Sequence, residues 1–206
     1  ADDNATVYPL IAEKFELPDD KSFVGFILNP KARFHDGSPI TADDVIFSFK
    51  ALTTLGAPLY KVYYADVEKV EKINDRHVRF YFKKSTQNRE LPLILAQLPI
   101  FSAAYYAHRD FSKPVLEPTL GNGPYRISDF SVGKYIVLQR VKDYWAQNLP
   151  SRRGYFNFDE VRFDYYQDTT VTLQALFANN IDLREEYISK IWVTGYNNDL
   201  IKSKKI

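Results

Sequence analysis

Few residues in this chain are spaced for chemistry. His35, His77 and His108 are its histidines, and no two of them sit at the helix or strand spacing a shared metal needs. His35 stands beside Asp36 in a glycine-containing turn, where a hydrogen-bonded structural role is expected in place of general-base catalysis. No serine carries the glycine-flanked elbow of a hydrolase nucleophile. Gly121-Asn122-Gly123-Pro124 is rich in glycine, but Pro124 removes a backbone donor where a phosphate nest requires one. Glu185-Glu186 is a carboxylate pair, although adjacent positions on a helix do not face each other. Cysteine is absent, so there is no thiolate nucleophile, disulfide or cysteine metal site. The expectation is a binding protein: no enzyme, no catalytic residues, no metal and no other cofactor.

The elements that would position a binding site are clearer. Ser22–Leu28 is an apolar run closed by Asn29-Pro30, and predicts a strand covered on both faces. The His35-Asp36-Gly37 turn leads to Thr41, an N-cap, with Asp44 three residues on in a capping-box pattern. Ile40 and Val45 occupy the two positions of a hydrophobic staple. Val45, Phe49 and Leu52 share the buried face of this helix, which ends at Gly56 and Pro58. Tyr60, Tyr63 and Tyr64 then read as a tyrosine-rich loop.

Val67–Ile73 and Val78–Phe82 flank Asn74-Asp75 as a hairpin, with apolar residues at the even positions of its second strand. Leu91–Leu98 predicts a short helix with Pro92 in its first turn. Tyr125–Phe130 and Tyr135–Arg140 form a second hairpin, and Glu160–Tyr166 a third strand. Asp168-Thr169-Thr170 starts a helix with Leu173, Leu176 and Phe177 on one face, followed by a short strand at Ile181-Asp182-Leu183. Strands and helices without a regular alternation indicate an α+β fold, mixed α/β in content.

Bulk properties exclude several classes. The 206 residues are 45% apolar and 26% charged, which is globular and neither disordered nor coiled-coil. A formal net charge of +1 gives no basis for binding nucleic acid or an anionic membrane. No apolar run approaches the ~20 residues of a membrane span. Aromatic residues make up 16%, with 15 Tyr, 15 Phe and 2 Trp, and most are expected in core or on sheet surfaces. The chain opens at Ala1 without a basic and apolar leader and closes at Ile206 in mid-flow, so it is read as a piece of a longer protein.

Phe34-His35-Asp36-Gly37 with Thr41-Ala42-Asp43-Asp44-Val45 resembles the signature of the family 5 extracellular solute-binding proteins, which bind peptides and nickel chelates for ABC importers. Gly121-Asn122-Gly123-Pro124-Tyr125 is similar to that family's second landmark. Asp143-Tyr144-Trp145 matches a third, with Val141-Lys142 in place of its usual Asn-Pro. A finer likeness to the Yej-type periplasmic oligopeptide-binding components rests on Asn88–Pro92, Gln97-Leu98-Pro99, Arg153–Val161 and Ser189–Tyr196. Those components also admit a peptide–nucleotide antibiotic.

The resemblance implies a two-lobed clam-shell of the type II periplasmic-binding-protein fold. This chain would supply part of its N-terminal lobe over 1–206, with a subdomain inserted over roughly 57–150. It implies oligopeptide as ligand, possession of a signal peptide in the precursor, a periplasmic location, and delivery to ABC permease subunits in the inner membrane. The protein itself would be monomeric, would not span the membrane and would bind no nucleic acid. Glu185, Glu186 and Tyr187 are then expected to approach the cleft, where a carboxylate can pair with a peptide ammonium. Trp192 offers a large ring near the lobe crossover, and Tyr60 and Tyr63 a rim of the pocket. His35, Asp36, Gly37, Thr41, Asp44, Gly123, Pro124 and Tyr125 are assigned to architecture.

Three other readings stay open at this level. The same fold serves as a solute-sensing domain in transcriptional regulators, and the family includes nickel- and haem-binding members. A carbohydrate-active enzyme would use the acids and aromatics, but no placed acid pair recommends it.

Overall fold

Two compact units make up the chain, and the computed structural model describes residues 7–197 and 199–203 of them. The first unit runs to Ser128 and takes in Leu138–Val161; the second comprises Asp129–Val137 and the chain from Arg162 onward.

The first unit is built on a four-stranded antiparallel sheet of order β1-β2-β4-β3. Its strands are β1 (Ala12–Glu16), β2 (Phe23–Leu28), β3 (Val67–Asn74) and β4 (His77–Phe82). Pairing of Val24 with Phe80 and of Phe26 with Val78 aligns the buried residues of the two central strands. Alternate residues point to one face of a strand, so Val78, Phe80 and Phe82 all enter the core. On the other face, Glu16 accepts from Arg79 at 3.0 Å and meets His77 Nε2 at 3.2 Å. Gly25 separates these side chains and leaves them the room a Cβ would take.

Helix α1 (Ala42–Leu55) lies against this core through Val45, Leu52 and Phe49, whose ring meets Phe80 edge-on at 5.4 Å. The Asp44 carboxylate is buried and accepts from the Thr41 N–H and hydroxyl, each at 2.8 Å. Its other oxygen accepts the Ala103 N–H at 2.8 Å. One side chain thus starts α1 and anchors the first residue of α4 (Ala103–Tyr106). Ser48 adds a second tie, its hydroxyl accepting the Phe101 N–H at 2.7 Å.

The tyrosine-rich stretch after Gly56 is a helix, not the loop read from sequence: α2 spans Pro58–Tyr63. Pro58 stands in its first turn, where a missing N–H costs nothing. Helix α3 (Leu91–Ala96) buries Leu91 and Leu95 in the same core.

A three-stranded sheet of order β5-β6-β7 contains the points at which the chain passes between units. Its strands are β5 (Tyr125–Ser131), β6 (Tyr135–Arg140) and β7 (Glu160–Asp164). In the second unit, Asp168 caps α5 (Thr169–Phe177) by accepting the Thr170 and Val171 N–H groups at 2.6 and 3.2 Å. Leu173 and Leu176 are buried beneath it. The predicted strand at 181–183 is not formed: no strand among the described residues pairs with it, and Leu183 is 82% exposed. Two short helices follow, α6 (Ser189–Gly195) and α7 (Asp199–Lys202).

Candidate functional site

The two signature motifs meet in the first unit. The His35 N–H donates to the Gly121 carbonyl at 2.9 Å, and its ring Nε2 bonds the Gly123 carbonyl at 2.8 Å. A carbonyl can only accept, so Nε2 carries the proton. Asp36 accepts from the Ser38 N–H and hydroxyl, and the Ser38 hydroxyl holds the Asp36 carboxyl below its usual range. Asn122 donates to the Ile100 carbonyl at 3.0 Å and accepts the Trp145 indole N–H at 3.3 Å. These bonds tie the two motifs to each other and to the segments that carry Ile100 and Trp145. This supports their assignment to architecture and places Trp145 in the scaffold.

Tyr60 and Tyr63 lie on α2. Tyr60 stacks on Tyr64 at 6.2 Å and packs against the core, whereas Tyr63 is exposed. Burial pushes the Tyr64 hydroxyl up to about 12, with Tyr60 adding to the effect.

Glu185, Glu186, Tyr187 and Trp192 belong to the second unit. The first three follow the unpaired 181–183 segment, and Trp192 lies on α6, whose backbone N–H there bonds the Ile188 carbonyl at 3.0 Å. Tyr187 is 83% exposed and Trp192 63%, with Leu183, Ile188 and Val193 also open to solvent. Glu185 is exposed and accepts the Tyr187 hydroxyl, an interaction that raises the phenol pKa. Glu186 differs. Its side chain is buried in an ion pair with Arg184, and its second oxygen accepts the Ile188 N–H at 2.8 Å. That N–H, and then Arg184, hold its carboxyl below the ordinary range.

Sequence reasoning passed over Arg184 and Tyr196. Arg184 donates to Glu186 and, at 2.6 Å, to the Tyr196 hydroxyl. Tyr196 in turn lies against Trp192 at 5.1 Å. The local signal was an arginine two residues before an acid; the partner twelve residues on is not readable from spacing. Among the described residues, no three His, Cys, Asp or Glu side chains are grouped to hold a metal, and no helix is long and apolar enough to cross a membrane.

Residues 6–205 match the family described as bacterial extracellular solute-binding proteins, family 5 Middle. The chain belongs to this family. A family 5 relative, the uncharacterized protein YejA of Escherichia coli (strain K12), is 43% identical over 205 residues, covering 100% of this chain and 33% of its own length. The peptidoglycan-binding protein YepA of Agrobacterium fabrum is 38% identical over 187 residues, covering 90% of this chain and 30% of its own. The chain therefore spans about a third of the length of these curated relatives. Among solved structures, the solute-binding protein MoaA of A. tumefaciens R10, in complex with mannopinic acid, superposes with a TM-score of 0.73 at 21% identity. That match covers 92% of this chain and 37% of MoaA, and shares the mixed helix-and-sheet fold of the type II periplasmic binding proteins.

Proposed function

We propose that this chain is part of the substrate-binding component of an ABC importer, which captures oligopeptides between two lobes in the periplasm and hands them to permease subunits in the inner membrane. The 206 residues form part of the first lobe, with a subdomain inserted over roughly 57–150. Ligand contacts are assigned to Glu185, Tyr187 and Trp192. Tyr60 and Tyr63 are assigned a rim of their own on α2.

The observation that carries this reading is the face around Tyr187 and Trp192. In this stretch, about a third of its relatives' length, Tyr187 and Trp192 are exposed, and the Glu185 carboxylate accepts the Tyr187 hydroxyl. Exposed large apolar side chains mark a surface that something else covers, either ligand or the remainder of a longer chain. Aromatic rings lie against peptide planes while their polar tips reach water, and a carboxylate pairs with an ammonium group. The name of the relative YepA supports a peptide-bearing ligand, because peptidoglycan carries short peptides. Peptide–nucleotide conjugates fall within the same chemistry.

Native mass spectrometry of the full-length protein purified without denaturation tests the reading. Co-purifying masses that fragment as peptides are expected. Only sugars or metal chelates in the bound fraction would overturn it.

A further inference from the structure

Between α5 and α6 the chain from Leu183 to Ile188 forms neither helix nor strand, yet two of its charged side chains are withdrawn from water. The side chains of Arg184 and Glu186 are 6% and 3% exposed, whereas their neighbours Leu183 and Tyr187 are 82% and 83% exposed. Burying two charges is unfavourable unless every remaining donor and acceptor near them is filled. That condition is approached here. Arg184 Nη1 donates both to Glu186 Oε2 and to the Tyr196 hydroxyl, and Glu186 Oε1 accepts the Ile188 N–H.

The network extends into the aromatic face. Tyr196 follows α6 directly, and its ring lies 5.1 Å from Trp192 and 6.2 Å, edge-on, from Phe177 of α5. An unbroken series of contacts therefore runs from the 184–186 segment through Tyr196 to the indole. Each Glu186 oxygen is engaged within it and the side chain is 3% exposed, so the carboxylate is shielded from an incoming ammonium group.

We infer that Arg184, Glu186 and Tyr196 are positioning residues: they fix the Glu185–Ile188 segment and the Trp192 ring in the arrangement that meets ligand, and do not touch ligand themselves. The inference rests on the reading of Glu185, Tyr187 and Trp192 as ligand contacts. Of the two adjacent glutamates it leaves Glu185 as the accessible one, because the Glu186 side chain is held by Arg184.

The test uses the full-length protein labelled with fluorotryptophan, with the Trp192 resonance assigned by its loss in Trp192→Phe. Tyr196→Phe removes one hydroxyl, and Glu186→Gln removes the charge but keeps an oxygen for the Ile188 N–H. In ligand-free protein, both variants are expected to shift or broaden the Trp192 resonance while the Trp145 resonance stays in place. From a pool of random synthetic tetrapeptides, each variant is expected to retain roughly three- to tenfold less peptide than wild type, the size of effect that loss of one ordinary hydrogen bond implies. A Trp192 resonance unmoved in both variants overturns the positioning role, whatever happens to peptide retention. A moved resonance with undiminished retention leaves the positioning of the ring standing and removes the ligand face instead. Tyr196→Phe keeps the test open if Glu186→Gln fails to fold.

Discussion

The ring Nε2 of His35 donates a hydrogen bond to the Gly123 carbonyl oxygen at 2.8 Å, joining two motifs 88 residues apart. The backbone N–H of the same residue bonds Gly121, so one histidine closes the turn of one motif onto the corner of the other. Gly121 is drawn so near that a Cβ there would lie 3.0 Å from the His35 ring. Removing the ring leaves a half-buried carbonyl without its donor, which costs about 1–3 kcal/mol. His35→Ala is expected to lower the denaturant midpoint accordingly, and His35→Gln, which keeps a donor, to recover part of the loss. Equal stability of His35→Ala and wild type in urea titrations would refute this role.

Two glycines in these motifs should respond differently to a side chain. Gly37 has φ +85°, in the left-handed region that L-residues resist, although nothing lies within 4 Å of its would-be Cβ. Gly37→Val is therefore expected to destabilise by about 1–2 kcal/mol or more through backbone strain alone. Gly123 has the same open space without a left-handed φ, so Gly123→Ala should fall within about 0.5 kcal/mol of wild type. Calorimetric melting of the two variants side by side checks the contrast.

What the sequence made legible was local. The cap of α1 involves Thr41 and Asp44, three residues apart, and both the pattern and the helix it starts were readable. The β3–β4 hairpin was readable for the same reason, since its alternation and turn adjoin. Strand β1 escaped notice because Ala12-Glu13-Lys14-Phe15-Glu16 shows no apolar alternation; as an edge strand it is held by β2, and Phe15 stays exposed. Ile181-Asp182-Leu183 failed in the opposite sense: it alternates like a strand but pairs with no strand among the described residues. The assignment of Glu185 and Glu186 as equivalents met the same limit. Whether an acid is free or paired is decided by where Arg184 and Tyr196 come to lie, and no spacing rule encodes that.

Tyr64 gives the first unit a pH dependence in the alkaline range. Its ring is buried against Phe49 and Tyr60, and burial raises its hydroxyl from 10.0 to about 12. Between those values the unfolded chain has released this proton and the folded chain has kept it. Stability is then fully present below pH 10 and falls as pH rises towards about 12. Urea midpoints across that window should decline less steeply in Tyr64→Phe than in wild type. Parallel slopes in the two proteins would assign the decline to other groups.

Glu185 is the carboxylate we propose to meet a ligand charge, and its replacement separates recognition from folding. The side chain is exposed, its one described partner is the Tyr187 hydroxyl, and no ion pair among the described residues uses it. Glu185→Gln is therefore expected to leave the melting temperature unchanged within about 1 °C, since exposed charges contribute little to stability. Peptide affinity of the full-length protein should fall, because a hydrogen bond to a charged group is worth about 1.5–3 kcal/mol. The loss should be larger for peptides with a free amino terminus than for their acetylated forms, which lack the ammonium group. An identical loss for both forms, measured by calorimetry, would show that Glu185 acts on something other than charge. An unaltered affinity for both would remove it from the site.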